Sequence, residues 1–209
     1  MNKSYVPHHF SINKFSKISS TKSGAGYTLI EVLVAVSIFT IIMAAPTGFL
    51  VGSLKAQQKA LASQKLLDNT SYTLEYISRA LRMAKKELSA PDCLSLNGLN
   101  YEIKEIPGTG ITGLMFKDYN LKCKGFFLQD IQLMEYEKGR TPTILPLTSE
   151  DLEITSLKFK LSGQSQTDTD QPRVTLFLEI KGGKDLKDEL RPLIKIQTTI
   201  SQRNLDVPY

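Results

Sequence analysis

The strongest pattern in the chain is an apolar run that begins at Tyr27 and ends at Val51. These residues are mostly Leu, Ile, Val, Ala, Phe and Met, and Glu31 is the one charged residue among them. As a helix rising about 1.5 Å per residue, the run would be roughly 37 Å long, more than the bilayer core of about 30 Å. The pattern therefore predicts a transmembrane helix over residues 27–51. Pro46 is expected to kink this helix, because proline removes one helical hydrogen bond.

A second helical pattern follows the apolar run, with one apolar stripe on an otherwise polar surface. The stripe repeats at near-heptad spacing, Thr70 fills its gap, and its members are Leu67, Leu74, Ile77, Leu81, Ala84 and Leu88. Such a stripe is typical of a helix that lays one face on a folded domain. We therefore expect residues 52–90 to be an amphipathic continuation of the same helix. One helix would then run from Tyr27 to Ser89 and end at Pro91.

After Pro91 the apolar period changes to two, which is the period of half-buried strands. The alternation predicts four to six strands, at Leu99–Ile106, Leu114–Lys117, Phe126–Tyr136, Leu157–Leu161, Val174–Lys181 and Ile194–Ile200. Because the strands gather after one helix and do not alternate with helices, the order predicts an α+β fold. We expect residues 91–209 to be a globular β-rich domain whose antiparallel sheet wraps the C-terminal half of the helix.

The segment before the apolar run, residues 1–26, is polar and basic. It contains no acidic residue, and its cations are Lys3, Lys14, Lys17 and Lys22, so it holds +4 of the formal net charge of +5 and leaves about +1 for the rest. By the positive-inside rule this favours a cytoplasmic N-terminus, with everything after Val51 outside the membrane. It also leaves no strong basic balance on the folded part, so we predict no direct nucleic-acid binding.

Histidine is confined to the same basic segment, at His8 and His9. If residues 1–26 are removed, no Ser-His-Asp triad, Cys-His pair or histidine metal site can be built. We therefore expect no catalytic residue, no cofactor and no metal site in the remaining chain, which argues against an enzyme.

The junction between the two segments reads Gly24-Ala25-Gly26-Tyr27-Thr28-Leu29-Ile30-Glu31. A glycine offers a protease open backbone without a side chain. A carboxylate this near the bilayer core costs a few kcal/mol, so Glu31 is expected to have a function and a partner. A carboxylate that merely reaches the headgroups is one alternative. An ordinary cleaved secretory signal is another, although its apolar core is about 7–15 residues and ends at a small-x-small site.

This junction resembles the prepilin class of signals, in which a peptidase cuts after a glycine and before an aromatic residue. In that class a glutamate is fifth after the cut, and Gly26, Tyr27 and Glu31 match position by position. Tyr27 stands where phenylalanine is commoner, and the leader is longer than those of major pilins. The resemblance implies cleavage between Gly26 and Tyr27 by a prepilin peptidase/methyltransferase, followed by N-methylation of Tyr27.

The resemblance also implies a structural role, as a subunit of a type IV pilus-like filament. The partners would be other pilin or pseudopilin subunits and an inner-membrane assembly platform, and the product would be an extracellular or periplasmic filament. The new α-amino group of Tyr27 would pair with Glu31 of the same or a neighbouring subunit and set the subunit register. The chain length and the stretch Tyr76–Arg82 look more like a minor pilin or a minor pseudopilin of type II secretion. The alternative is a monomeric, signal-anchored binding or adhesin module, for which Glu31 would be dispensable.

The chain has two cysteines, Cys93 and Cys123, whose spacing is not that of a CxxC redox or metal pair. The predicted topology places both outside the cytoplasm, where a disulfide is allowed. Two unpaired buried thiols are the alternative.

Overall fold

The described part of the chain begins with one long helix. The computed structural model describes residues 26–164 and 170–203, and its first element is α1, Leu29–Arg82. The chain divides into two compact units, one up to Gly48 and the other from Phe49 onward. The first unit holds the beginning of α1. The second holds the rest of α1 and every strand in the described residues. The predicted leader lies outside these residues, apart from Gly26.

Eight strands follow α1 in the described residues, and they form two antiparallel sheets. They are β1 Tyr101–Glu105, β2 Thr112–Lys117, β3 Cys123–Gln129, β4 Gln132–Glu137, β5 Thr143–Pro146, β6 Glu153–Ser162, β7 Arg173–Lys181 and β8 Leu193–Ser201. Strands β1 to β5 form one sheet in sequence order, and β6 to β8 form the other. The predicted α+β architecture, a long helix followed by antiparallel strands, is confirmed. The expectation of one sheet with four to six strands is wrong.

The main core lies between α1 and both sheets. From α1 it contains Leu66, Ile77, Leu81 and Ala84, from the first sheet Leu114, Phe116, Phe126 and Leu133, and from the second Val174, Leu176, Leu178, Ile180 and Ile200. Alternate residues of β7 are buried, as expected for a strand with one face on the core.

The first sheet is buried on both faces at its strands β2 and β3. Met115 and Phe127 point away from α1 and pack with Leu94, Ile106 and Tyr136 beneath the segment that follows the helix. Two-sided burial explains why this sheet contains continuous apolar runs rather than alternation.

The boundary of α1 and part of its stripe differ from the prediction. The helix ends at Arg82, not Ser89, because the backbone N–H of Lys85 donates to the carbonyl of Lys117 at the end of β2 (2.8 Å). Leu66 is fully buried, whereas Leu67 and Leu88 are 53% and 76% exposed, so the placement of Leu67 and Leu88 in the stripe is wrong. The predicted members Thr70, Ile77, Leu81 and Ala84 are buried as expected.

The sequence pattern did not predict two of the strands, β4 as a separate strand and β5. The predicted strand Phe126–Tyr136 is the hairpin of β3 and β4, whose turn contains Asp130 at a φ of 54°. The sequence offers no glycine there to indicate the turn. The short strand β5 is exposed at every residue, so it has no alternation to detect.

A polar contact between α1 and the first sheet supports the apolar core. The hydroxyl of Tyr76 donates to both carboxylate oxygens of Glu135 (2.8 and 2.9 Å), and Lys124 Nζ donates to Glu135 Oε1 (2.9 Å). The ring of Tyr76 also meets Phe126 edge-on at 6.4 Å. Tyr76 therefore packs between the helix and the first sheet, whereas Tyr72 of the same helix is 72% exposed.

Candidate functional site at the start of the helix

The junction identified in the sequence lies just before the first turn of α1. Gly26, Tyr27 and Thr28 precede the helix in non-helical backbone, and Leu29 is its first residue. Tyr27 is 81% exposed, and among the described residues, its chain neighbours aside, no atom lies within 4 Å of the position that a Cβ on Gly26 would occupy. In the described part of the chain, the backbone at the bond between Gly26 and Tyr27 is therefore exposed.

Thr28 is the N-cap of α1. Its Oγ1 accepts a hydrogen bond from the backbone N–H of Glu31 (3.3 Å), and its carbonyl accepts one from the N–H of Val32 (3.2 Å). The first bond satisfies a backbone donor that the first helical turn leaves without a helical partner, and the second is the first bond of the helix itself. Sequence reasoning used Thr28 only as part of the junction, although threonine three residues before glutamate is the capping-box spacing and could have indicated the cap.

The cap places Glu31 in the first turn of α1, where the helix dipole stabilises a carboxylate. The residue is exposed, like its apolar neighbours in the same turns. Cleavage would release the backbone nitrogen of Tyr27, the residue just before the Thr28 cap. A carboxylate and a new cation would thus lie at the same end of the helix.

The remainder of this segment suits an apolar surrounding. The helix is long and apolar enough to cross a membrane, and its large side chains here are exposed, from Leu29 to Val51. Hydroxyls in the segment bond to the helix's own carbonyls: Ser37 to Leu33 (2.8 Å) and Thr40 to Ser37 (2.8 Å). Polar atoms satisfied in this way can be placed in lipid.

Pro46 lies inside the helix, and the helix continues through it. Helices in bilayers tolerate an interior proline because neighbouring groups satisfy the freed carbonyl. The kink expected at Pro46 stays a prediction.

The second pair of singled-out residues lies in the other unit. Cys93, after the helix, and Cys123, at the start of β3, form a disulfide bond and are both nearly fully buried. The bond closes a loop of about 30 residues, which should contribute about 3–4 kcal/mol to stability by the loop-entropy account.

We expect the protein to migrate faster on a non-reducing gel than on a reducing one, since the closed loop keeps the denatured chain more compact. A variant with Cys93→Ser and Cys123→Ser should show no difference between the two gels. Equal migration of the unmodified protein, with both thiols open to alkylation after denaturation without reductant, would contradict the bond.

A buried ion pair beside the disulfide was missed by sequence reasoning. The carboxylate of Glu87 is fully buried and accepts a hydrogen bond from Lys117 Nζ (2.7 Å). It also accepts bonds from the backbone N–H groups of Ser89 (3.0 Å), Cys93 (3.0 Å) and Leu94 (3.3 Å). No local pattern indicates this contact, because Lys117 is 30 positions away in sequence.

The same bonds decide the ionisation of Glu87. Burial favours the neutral acid, but the bond from Lys117 and those from the three backbone N–H groups outweigh burial and lower the pKa of Glu87 to about 2. The carboxylate is therefore a charged anchor that holds the cysteine-bearing segment on the first sheet. Its role is structural, and among the described residues no group of three or more side chains could hold a metal ion.

One comparison with known proteins identifies the junction. The family model described as the prokaryotic N-terminal methylation motif matches residues 21–45. This motif is the signal of type IV pilins and pseudopilins, and the match covers the junction and the beginning of α1. No curated protein and no solved structure matches the chain.

Proposed function

We propose that this chain, which carries the signal of a type IV pilin-like precursor, is a structural subunit of a type IV pilus-like filament. The precursor is held in the inner membrane by the first part of α1, with residues from about 52 onward on the extracytoplasmic side. A prepilin peptidase cuts it between Gly26 and Tyr27, and Tyr27 is then N-methylated. The subunit joins other pilins or pseudopilins through an assembly platform. Its sequence character is that of a minor pilin or minor pseudopilin.

The observation that carries this proposal is the arrangement of the junction. An exposed Gly26–Tyr27 bond precedes a helix that Thr28 caps, and the one carboxylate of the apolar segment follows within the first turn. A cut at this bond would create an amino group next to a carboxylate at one end of an apolar helix. In the dry core of a fibre each charge would need the other, because an unpaired charge there is costly. N-methylation keeps the positive charge of the amine, so the pairing is retained.

The exposed apolar surface of α1 supports assembly from the membrane. In the described residues its large apolar side chains from Leu29 to Val51 are exposed, and lipid or neighbouring helices would cover them. A helix that leaves the bilayer for a filament exchanges one apolar surrounding for another. The carboxylate of Glu31 would be stabilised most by this exchange, because in the fibre it would lie beside an amine of opposite charge.

We expect the protein purified from its own membranes to begin at Tyr27 and to carry one methyl group on its α-amino nitrogen. Intact mass and N-terminal sequencing give both facts in one preparation. A Gly26→Val variant, whose side chain closes the open backbone at the cut, should retain residues 1–26. An unmodified protein that still begins at Met1 would leave the alternative function, a monomeric signal-anchored binding module.

A further inference from the structure

The outer face of the second sheet is basic along β6 and β7. Its buried face contacts α1, so the residues between the buried positions point outward. In register, Lys160 lies opposite Thr175, and Lys158 lies opposite Phe177. Arg173 continues the row at the start of β7, and all three cations are exposed. No acidic residue occupies the outward positions of these three rows, although Glu179 and Lys195 follow as an ion pair in the next row (2.8 Å).

The basic face continues around the edge strand β8 onto the end of α1. Thr199 and Ser201 belong to the outer face of β8, and they also line a groove against α1. The cations of this groove are Arg79, Arg82 and Arg203, all exposed. The acidic residue of the groove, Glu75, is paired with Arg79 (2.7 Å). We call the combined surface the basic face; it consists of Lys158, Lys160, Arg173, Arg79, Arg82 and Arg203.

The net charge of the chain does not reveal this concentration of positive charge. The formal net charge is 26 − 21 = +5, and the four lysines of residues 1–26 account for +4 of it, so the remaining chain has about +1. The grouping of these six cations along β6, β7 and the groove beside β8, where Glu75 is the one carboxylate among the residues of the three rows and the groove lining, therefore comes from folding. The prediction of no direct nucleic-acid binding rested on the net charge of the folded part and did not consider where the charges meet.

We propose that the basic face binds a single strand of nucleic acid on the extracytoplasmic side. Four of the six cations are arginines, whose planar guanidinium groups bind phosphate with two hydrogen bonds. Hydroxyls of Thr175, Thr199 and Ser201 lie among them, and such hydroxyls are common phosphate contacts. Lys158 and Lys160 are two positions apart on one strand, about 7 Å, so they can reach successive phosphates of an extended strand.

Phe177 distinguishes nucleic acid from other polyanions. It is half-buried on the outer side of the central strand, between Lys158 of β6 and Gln197 of β8. An aromatic ring beside cations on an open sheet is the arrangement on which unpaired bases stack while the phosphates are neutralised. An acidic polysaccharide or an acidic protein would use the cations but would gain no base stacking from Phe177.

The test is fluorescence anisotropy with a labelled oligothymidine of about 20 nucleotides, on the full chain in non-ionic detergent at about 50 mM salt. The triple variant Lys158→Gln, Lys160→Gln, Arg173→Gln should bind about tenfold more weakly or worse. Its plot of log affinity against log salt should be less steep by about 2, since about 0.7 counterion is released per contact with single strands. The matched control Lys59→Gln, Lys184→Gln, Lys187→Gln removes the same charge elsewhere and should bind like the unmodified chain.

A second variant tests the base contact. Phe177→Leu keeps apolar bulk but removes the aromatic face, so binding of the oligothymidine should fall about tenfold with an unchanged melting temperature. Binding of poly-glutamate or heparin should not change in this variant.

The proposal is overturned if the unmodified chain does not bind the oligonucleotide, or if the two triple variants bind alike. The proposal is also overturned if Phe177→Leu weakens binding of every polyanion equally, or does not weaken binding of the oligothymidine. The basic face would then bind acidic polymers in general. None of these outcomes depends on cleavage or filament assembly, so the proposed structural role is tested separately.

Discussion

A Glu31→Ala precursor is expected to remain in the membrane and to be cut after Gly26, but to enter filaments about tenfold less efficiently or worse. Breaking a buried ion pair costs about 3–5 kcal/mol when one charge is left without its partner. In the assembled fibre, the loss of Glu31 would leave the amino group of Tyr27 unpaired in an apolar core. In the membrane the same loss costs little, because the amine lies near the headgroups, which can solvate it. The measurement is the ratio of this subunit in sheared filaments to that in membranes, by quantitative immunoblot.

The control for this result is Glu150→Ala, which removes an exposed carboxylate from a loop of the second unit. It should be incorporated like the unmodified subunit. Normal incorporation of Glu31→Ala would contradict charge pairing. If cleavage also failed in that variant, the loss of filaments would have to be attributed to processing, so mass analysis of the membrane fraction accompanies the assay.

The variant Glu87→Ala is expected to lose about 3–5 kcal/mol of folding stability, because it leaves Lys117 buried without its main partner. It also removes the acceptor for three backbone N–H groups, each of which is costly when buried and unsatisfied. Urea unfolding of the full chain in detergent, followed by far-UV circular dichroism, gives the change. A matched variant, Lys117→Met, keeps the three backbone bonds to Glu87 and should lose less. A loss below about 1 kcal/mol for Glu87→Ala would contradict the anchor role of this pair.

The same group gives stability a pH dependence of known sign. The pKa of Glu87 is about 2 in the folded chain, below its ordinary value of 4.5, so the folded state favours the ionised form. Its contribution is fully present above pH 4.5 and is lost as the pH falls from 4.5 towards 2. Asp92, which lies 3.5 Å from Lys117 Nζ, also has a lowered pKa, caused mainly by its bond with Lys138, and it acts in the same direction. The variant Glu87→Gln should remove the share of this pH dependence of stability that is due to Glu87.

Several features of this protein were readable from the sequence because they are local. The apolar run, the alternation in β6, β7 and β8, and the junction at Gly26 each depend on neighbours in the chain, and periodicity or spacing reveals such features. The helix start is equally local, since Thr28 and Glu31 are separated by three positions.

The features that sequence reasoning missed depend on contacts between distant residues. The helix ends at Arg82 because Lys85 finds a strand partner in Lys117, not because of the later Pro91. The pair of Glu87 and Lys117 forms only when the segment after the helix folds over the first sheet. The pattern of apolar residues along the sequence does not predict such a pair, because neither Glu87 nor Lys117 is apolar.

The sequence by itself thus determined the apolar helix of membrane-spanning length, the N-terminal methylation motif and the class of fold, since short-range periodicity and one junction motif specify them. The tertiary structure alone decided where the helix stops, which face of the first sheet the cysteine segment covers, and that six scattered cations meet on one surface. Charge and burial at a point in space depend on every segment packed there, and a linear pattern records only the neighbours along one chain.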